Sequence, residues 1–154
     1  MVKQFVIKSI TDLIYDYKKL VSQCKNPLFI FITTNKYDYD FDAVVLDFKD
    51  VSIGEEGFIT EKHTNILKGI DFNEYDGWFI GCDAGYCRSP AVASAVCRYM
   101  GWNKASDNLK NKYQYMNMDV YGFIVTKLCG EVIKNESNRY IKESRKDRKQ
   151  LDIN

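Results

Sequence analysis

A cysteine and an arginine stand six positions apart in the middle of this chain, within Cys82–Pro90 (CDAGYCRSP). An apolar run typical of a strand, Trp78 to Ile80, precedes the segment, and an alanine-rich run typical of a helix, Ala91 to Met100, follows it. A loop that leads from a strand into a helix N-terminus points backbone N–H groups inward and can bind a dianionic phosphate. The pattern therefore predicts an anion-binding loop with a thiol beside the anion, suited to nucleophilic attack on phosphorus.

The residue types in this loop suit such a reaction. A thiol with the ordinary pKa of about 8.5 is a poor nucleophile, so the loop must favour the thiolate of Cys82. The positive end of the following helix and the guanidinium of Arg88 both do so, and Arg88 can hold two phosphate oxygens at once. Gly85 permits a positive φ or a close backbone approach, and the Ser89 hydroxyl can hydrogen-bond the sulfur as it leaves. The predicted phosphate-binding residues, through their backbone amides and the guanidinium, are Asp83, Ala84, Gly85, Tyr86, Cys87 and Arg88.

This segment resembles the signature loop of the protein tyrosine and dual-specificity phosphatases, Cys-x5-Arg-Ser/Thr. It is most similar to the small single-domain bacterial and phage members, sharply over residues 78–96 and diffusely over roughly 40–130. The resemblance implies a dual-specificity-phosphatase-like fold and a phosphomonoester hydrolase in which Cys82 is the nucleophile and Arg88 binds phosphate. Gly81 departs from the histidine that usually precedes the cysteine, and this puts the rate in question more than the mechanism.

The resemblance also implies a general acid on a loop about thirty residues before the cysteine, because the leaving alcohol needs a proton. Asp50 lies at that distance, at the start of the glycine-containing segment 49–58. Asp47 is the alternative, but it is expected inside the preceding strand and therefore less free to move. Asn117 resembles the family asparagine that supports the loop, with Met116 in place of a proline, although a plain helix N-cap explains it nearly as well.

Several further residues have two interpretations. Cys87 could form a reversible disulfide that protects Cys82, or it could be a small packed thiol. Asp83 either binds substrate or orders the loop, or it is a solvated residue at the rim. Tyr86 could stack on an aromatic substrate or pack inward, and the 34–42 segment could form a wall of the site. The remaining expectations are a helix-surface position for His63 and core positions for Cys24, Cys97 and Cys129.

The elements around the loop indicate an α/β fold with a central, mostly parallel sheet flanked by helices. Strands are predicted at 2–7, 28–32, 43–48 and up to Cys82. Helices are predicted at 10–21, behind Ser9 or Thr11 as the cap, and at 58–70, 89–100, 104–115 and 118–134. Residues 49–58, which hold two glycines and three acids, are predicted to be a mobile loop. Cys82 then lies at the carboxyl end of a strand, where such sheets bind ligands.

The whole chain is compatible with one domain. It has 154 residues, a net charge of +1 and five scattered cysteines, so we expect a reducing, cytoplasmic compartment. The expected catalytic domain spans 1–135, and the charged segment 136–154 is expected to be a tail or a helix extension. We expect no secretory signal, membrane span, metal or cofactor. The expected partner is a phosphorylated substrate, either a protein or a nucleotide or RNA, whereas general nucleic-acid binding is not expected.

Two other functions use a similar loop. A phosphate-binding pseudophosphatase that recognises phosphorylated partners is favoured by Gly81, because the usual histidine is missing. A rhodanese-like sulfurtransferase also places a cysteine in a strand-to-helix loop, but it explains neither Asp50 nor the Arg88-Ser89-Pro90 ending. Phosphomonoester hydrolysis through a cysteinyl-phosphate is therefore the leading hypothesis.

Overall fold

The computed structural model describes Val2 and residues 4–130, so the predicted tail at 136–154 and the end of the last predicted helix lie outside the described residues. The strands are β1 (Gln4–Ser9), β2 (Pro27–Ile32), β3 (Val44–Leu46) and β4 (Gly77–Cys82). The helices are α1 (Ile10–Tyr15), α2 (Tyr17–Val21), α3 (Glu61–Lys68), α4 (Arg88–Tyr99), α5 (Asn103–Lys112) and α6 (Met118–Cys129). A short 3₁₀ turn, Phe72–Glu74, precedes β4. None of the helices described is long and apolar enough to cross a membrane.

The four strands form one parallel sheet in the order β1-β4-β2-β3. This confirms the α/β class and the parallel sheet predicted from the sequence. Strand β4 lies between β1 and β2, and its last residue, Cys82, is level with Ser9 on one side and Ile32 on the other. The carboxyl ends of three strands therefore meet at the start of the loop that follows Cys82.

The two faces of the sheet are covered by different helices. On β4, Trp78, Ile80 and Cys82 belong to the larger core, which α4 and α6 cover with small and branched side chains. Phe79 points to the opposite face, where it belongs to the smaller core with Ile10 and other residues. Because side chains alternate along a strand, the thiol of Cys82 lies on the side of the sheet where α4 begins.

The first helical segment is interrupted, which corrects the single helix predicted at 10–21. Ser9 caps α1, since its hydroxyl accepts from the backbone N–H of Asp12 at 3.2 Å. The chain leaves helical geometry at Asp16 (φ −88°, ψ 3°) and begins α2 at the next residue. Just after the interruption, Tyr17 stacks on Phe41, with ring centroids 4.0 Å apart.

Helix α3 begins at Glu61 rather than at 58, and it buries a histidine. Thr60 is the extended N-cap residue, and its backbone N–H donates to Nδ1 of His63 at 3.0 Å. The prediction that His63 lies on the helix surface is wrong. Its ring is turned inward by this cap, packs edge-on against Phe48 and is only 5% exposed.

The loop between β4 and α4 rests on the end of β1. Gly85 has a φ of +87°, and a Cβ at this position would lie 2.7 Å from the carbonyl carbon of Lys8 and closer still to the backbone nitrogen of Ser9. Both atoms belong to the backbone of β1 and cannot turn aside as a side chain would. Gly85 is therefore required by conformation and by space together.

We predict that Gly85→Ala lowers the free energy of unfolding more than Gly54→Ala does. Gly54 has the same φ of +87° but no atom within 4 Å of an added Cβ, so it is a matched control for the conformational cost. Each substitution should cost about 1–2 kcal/mol for a side chain in left-handed backbone. Crowding against β1 should add about 1–3 kcal/mol at Gly85 alone, measured by urea denaturation. Equal losses would contradict the contact between the loop and β1.

Candidate active site

The thiol of Cys82 lies buried among hydrogen-bond donors at the start of α4. Its Sγ is 3.2 Å from Oγ of Ser89 and accepts the backbone N–H of Gly85 at 3.2 Å. Burial alone raises the pKa of the Cys82 thiol, but the Ser89 hydroxyl and the N–H groups of Ser89, Gly85 and Cys87 outweigh that effect. The pKa therefore lies below its ordinary value, and the arrangement favours the thiolate.

Arg88 is the first residue of α4, and this residue is 6% exposed. Its Nη1 donates to the carbonyl oxygen of Phe48 at 2.7 Å, and its Nη2 donates to Oδ2 of Asp83 at 2.9 Å. Its Nε is buried and has no hydrogen-bond partner among the described residues. An unmade hydrogen bond of this kind costs about 1–3 kcal/mol, which a bound oxyanion would recover.

Asp83 is surrounded by donors rather than left at a solvated rim. Its Oδ1 accepts from the hydroxyls of Thr33 and Tyr37, both at 2.6 Å. Its Oδ2 accepts from Arg88 and from Nδ2 of Asn35, the latter at 3.1 Å. Burial raises the pKa of the Asp83 carboxyl. The hydrogen bonds from Thr33, Tyr37 and Arg88, together with the charge of Arg88, lower the pKa by more than burial raises it, so the pKa lies below its ordinary value. The arrangement is that of a residue that orders the loop.

Asp50 is exposed, and Asn117 connects it to the loop that follows Cys82. Nδ2 of Asn117 donates to Oδ1 of Asp50 at 2.7 Å and to the carbonyl oxygen of Val51 at 3.0 Å. Oδ1 of Asn117 caps α6 by accepting from the N–H of Val120, and its own N–H donates to the carbonyl oxygen of Cys87 at 3.0 Å. Asn117 thus meets both interpretations of the sequence, as helix cap and as support for the loop.

The segment 49–58 is anchored at several points. Asp119, buried in the first turn of α6, accepts the N–H of Ile53 at 3.0 Å. The N–H of Lys49 donates to the carbonyl oxygen of Gly57 at 2.8 Å, which closes the base of the segment. Sequence analysis did not identify Asp119. An acidic residue two positions after a helix cap is common for local reasons, so its position gave no specific signal.

The carboxylate of Asp47 is paired with Lys62 and His63. Strand β3 ends at Leu46, so the expectation that Asp47 lies inside the strand is wrong. Its Oδ1 is 2.8 Å from Nε2 of His63 and 3.7 Å from Nζ of Lys62. The hydrogen bond from His63 lowers the pKa of the Asp47 carboxyl, with Lys62 adding to the effect against a smaller opposing contribution from burial. A lowered pKa disfavours the protonated form that a general acid requires.

Gly81 occupies a place where the structure has no room for a side chain. A Cβ there would lie 2.8 Å from Cδ1 of Leu13 and 3.1 Å from the carbonyl oxygen of Lys8. Leu13 of helix α1 therefore covers position 81. The sulfur of Cys82 is hydrogen-bonded by Ser89 and Gly85.

The loop carries an exposed aromatic side chain. Tyr86 is 53% exposed and so does not pack inward, and Tyr115, two residues before Asn117, is 60% exposed. Ala84 is exposed, and Cys87 is half-buried. The 34–42 segment contributes Tyr37, whose contact with Asp83 was not predicted.

No disulfide joins any of the five cysteines, all of which lie within the described residues. Cys97 is buried in the core as expected, and burial raises the pKa of its thiol to about 12. Cys24 and Cys129 are only half-buried and pack at the edges of the two cores. Cys24 also follows α2 rather than lying within a helix.

We compared the chain with protein-family models, curated proteins and solved structures. No family model, curated protein or solved structure matches it.

We predict that Ser89→Ala raises the pKa of Cys82. The ultraviolet absorbance of the thiolate, taken as the difference from Cys82→Ser across a pH series, should give a wild-type midpoint below the ordinary value of about 8.5. The Ser89→Ala midpoint should be higher, because the strongest hydrogen bond to the sulfur is lost. Ser94→Ala is the control, since Ser94 is also buried in α4 but bonds to Ser106. An unchanged midpoint in Ser89→Ala would exclude this role.

Proposed function

We propose that this chain is a phosphomonoester hydrolase of the protein tyrosine and dual-specificity type, with its Cys-x5-Arg loop as the catalytic loop. The observation that carries the proposal is that one short loop holds both the Cys82 thiol and the buried guanidinium of Arg88. The Cys82 sulfur is held by donors that favour a thiolate, and the guanidinium has a buried Nε–H without a partner among the described residues. A nucleophile and an unsatisfied cationic donor in one loop suit a substrate that is both electrophilic and anionic.

The first step forms a cysteinyl-phosphate. The Cys82 thiolate attacks phosphorus, an S–P bond forms, and the bond from phosphorus to the leaving oxygen breaks. Asp50 supplies the proton to that oxygen. Asn117 donates to Oδ1 of Asp50, which leaves Oδ2 to carry the proton. The positive end of α4 and the Nε–H of Arg88 stabilise the negative charge on the remaining phosphate oxygens.

The second step regenerates the thiolate. Asp50, now a carboxylate, takes a proton from water as the water oxygen attacks phosphorus. The S–P bond breaks, and its electron pair returns to the Cys82 sulfur. The Ser89 hydroxyl, 3.2 Å away, donates a hydrogen bond to the sulfur as negative charge develops there. The product is inorganic phosphate, whose negative charge Arg88 balances until the phosphate dissociates.

A phosphate-binding module is the second candidate function, and Gly81 favours it. With glycine there, and with Leu13 and Lys8 packed close to it, no side chain at position 81 tunes the thiolate. In that case the loop would bind phosphorylated partners without turnover. Sulfur transfer has no comparable support, because the charge and orientation of Arg88 are suited to a dianionic phosphate.

We predict that hydrolysis of aryl phosphates depends on Cys82 and Asp50 but not on Asp47. Cys82→Ser should abolish turnover. Asp50→Asn should lower kcat/KM for phenyl phosphate by about 10²- to 10⁴-fold, the usual contribution of a general acid. The loss should be much smaller with p-nitrophenyl phosphate, whose leaving group departs without a proton. Asp47→Asn is the control carboxylate and should change kcat/KM little with either substrate.

The outcomes separate the candidate functions. Equal losses in Asp50→Asn with both leaving groups would show that Asp50 is not the proton donor. A wild-type protein that binds vanadate but does not turn over would favour the phosphate-binding module. Turnover of thiosulfate instead of aryl phosphate would indicate sulfur transfer.

A further inference from the structure

The anion-binding loop contains a carboxylate, which is unfavourable for its proposed ligand. Asp83 follows the nucleophile directly, and its negative charge would repel a phosphate dianion bound to the same loop. A neutral residue at this position would avoid that cost. A carboxylate at position 83 therefore needs a function whose benefit offsets the repulsion of the phosphate.

The carboxylate of Asp83 fixes the orientation of Arg88. A guanidinium has five N–H groups in one plane, so two well-separated acceptors determine where the others point. Phe48 accepts from Nη1 and Asp83 accepts from Nη2, at 2.7 and 2.9 Å. The Nε–H is left over, buried and without a partner among the described residues. Asp83 thus helps to decide which edge of the guanidinium is available to a ligand.

Three neutral donors hold Asp83 in turn, and all lie after β2. Thr33 follows Ile32, which is level with Cys82 in the sheet, so the side chain of Thr33 is beside that of Asp83. Oγ1 of Thr33 also accepts the N–H of Asn35 at 2.9 Å, which ties the segment to itself. We name Thr33, Asn35 and Tyr37 the Asp83 clamp. Because the clamp is neutral, it fixes the carboxylate without adding a charge that competes with Arg88.

Tyr37 is the member of the clamp that lies farthest along the chain from the end of β2. Burial and its hydrogen bond to Asp83 raise the pKa of Tyr37 to about 12. Its hydroxyl therefore keeps the proton that it donates at any ordinary working pH. Neighbouring rings of the same segment, Tyr39 and Phe41, pack on Phe31 and anchor this segment to the smaller core.

We propose that Asp83 is a positioning residue that holds Arg88 so that its Nε–H faces the phosphate, and that the clamp of Thr33, Asn35 and Tyr37 sets Asp83 for this task. This inference rests on the proposed function. If Asp83 has this role, the three clamp residues after β2 belong to the catalytic arrangement. Asp83 acts on the reaction through Arg88 and does not itself contact the reacting atoms.

The proposal predicts a larger effect on turnover than on ground-state binding. Asp83→Asn keeps the shape of the side chain but removes its charge and places an amide where Oδ2 accepts. With Arg88 misaligned, kcat for p-nitrophenyl phosphate should fall about 10- to 100-fold, as a misplacement near 1 Å does elsewhere. The inhibition constant of inorganic phosphate should change much less, because the loss of a repelling charge offsets the weakened contact with Arg88.

Tyr37→Phe and Tyr39→Phe form a matched pair on one segment. Tyr37→Phe keeps the ring and removes one donor to Asp83, so kcat should fall several-fold with phosphate inhibition unchanged. Tyr39→Phe should leave kcat unaltered, because the contacts of Tyr39 are made by its ring. If Asp83→Asn does not fold, as judged by circular dichroism, the comparison of Tyr37→Phe with Tyr39→Phe tests the positioning role of Asp83 instead.

NMR of the Arg88 side chain separates this proposal from the proposed function. In the wild type the Nη2 hydrogens should be held by Asp83 and exchange slowly, and in Asp83→Asn and Tyr37→Phe they should exchange faster. Wild-type kcat in both variants, or equal losses of kcat and phosphate affinity, would overturn the positioning role while leaving a phosphatase. A wild type that neither hydrolyses p-nitrophenyl phosphate nor binds phosphate would overturn the proposed function, and the exchange rates would then test the positioning of Arg88 by themselves.

Discussion

The buried guanidinium of Arg88 is the constraint on which the site depends. A buried charge must be balanced and hydrogen-bonded, or its desolvation costs several kcal/mol, and Arg88 is only 6% exposed. The protein meets this requirement through the carbonyl oxygen of Phe48, after β3, and the carboxylate of Asp83, after β4. Both acceptors lie beyond the carboxyl ends of the parallel strands. Satisfying one buried charge therefore brings together the segments after β3 and β4, and the hydrogen bonds to Asp83 add the segment after β2.

A second set of contacts attaches the segment with Asp50 to the same place. Asn117 bonds to Asp50, to Val51 and to the carbonyl oxygen of Cys87, while it caps α6. One helix N-terminus thus supports the loop that would bind phosphate and the loop that would supply the proton. In the proposed reaction, this arrangement would fix the relative positions of nucleophile and acid before substrate arrives, which is how positioning lowers a reaction barrier.

The sequence predicted what short-range geometry determines. A strand, a glycine that needs positive φ and a helix start fix the loop locally, so Cys82, Gly85 and Ser89 could be placed without tertiary information. Contacts that join distant segments could not be predicted. The inward turn of His63 depends on Asp47 and Phe48 as well as on the local cap at Thr60, and the role of Asp83 depends on a tyrosine 46 positions away. The stacking of Tyr17 on Phe41 likewise joins residues that are far apart in the chain.

Trapping the covalent intermediate would test the central claim most directly. In Asp50→Asn the first step with p-nitrophenyl phosphate needs no acid, whereas the second step loses its base, so the phosphoenzyme should accumulate. We predict a burst of about one p-nitrophenolate per protein, followed by slow turnover, and one phosphoryl group on Cys82 in the acid-quenched protein by tandem mass spectrometry. Turnover without a burst, or a phosphoryl group on any other residue, would contradict nucleophilic catalysis by Cys82.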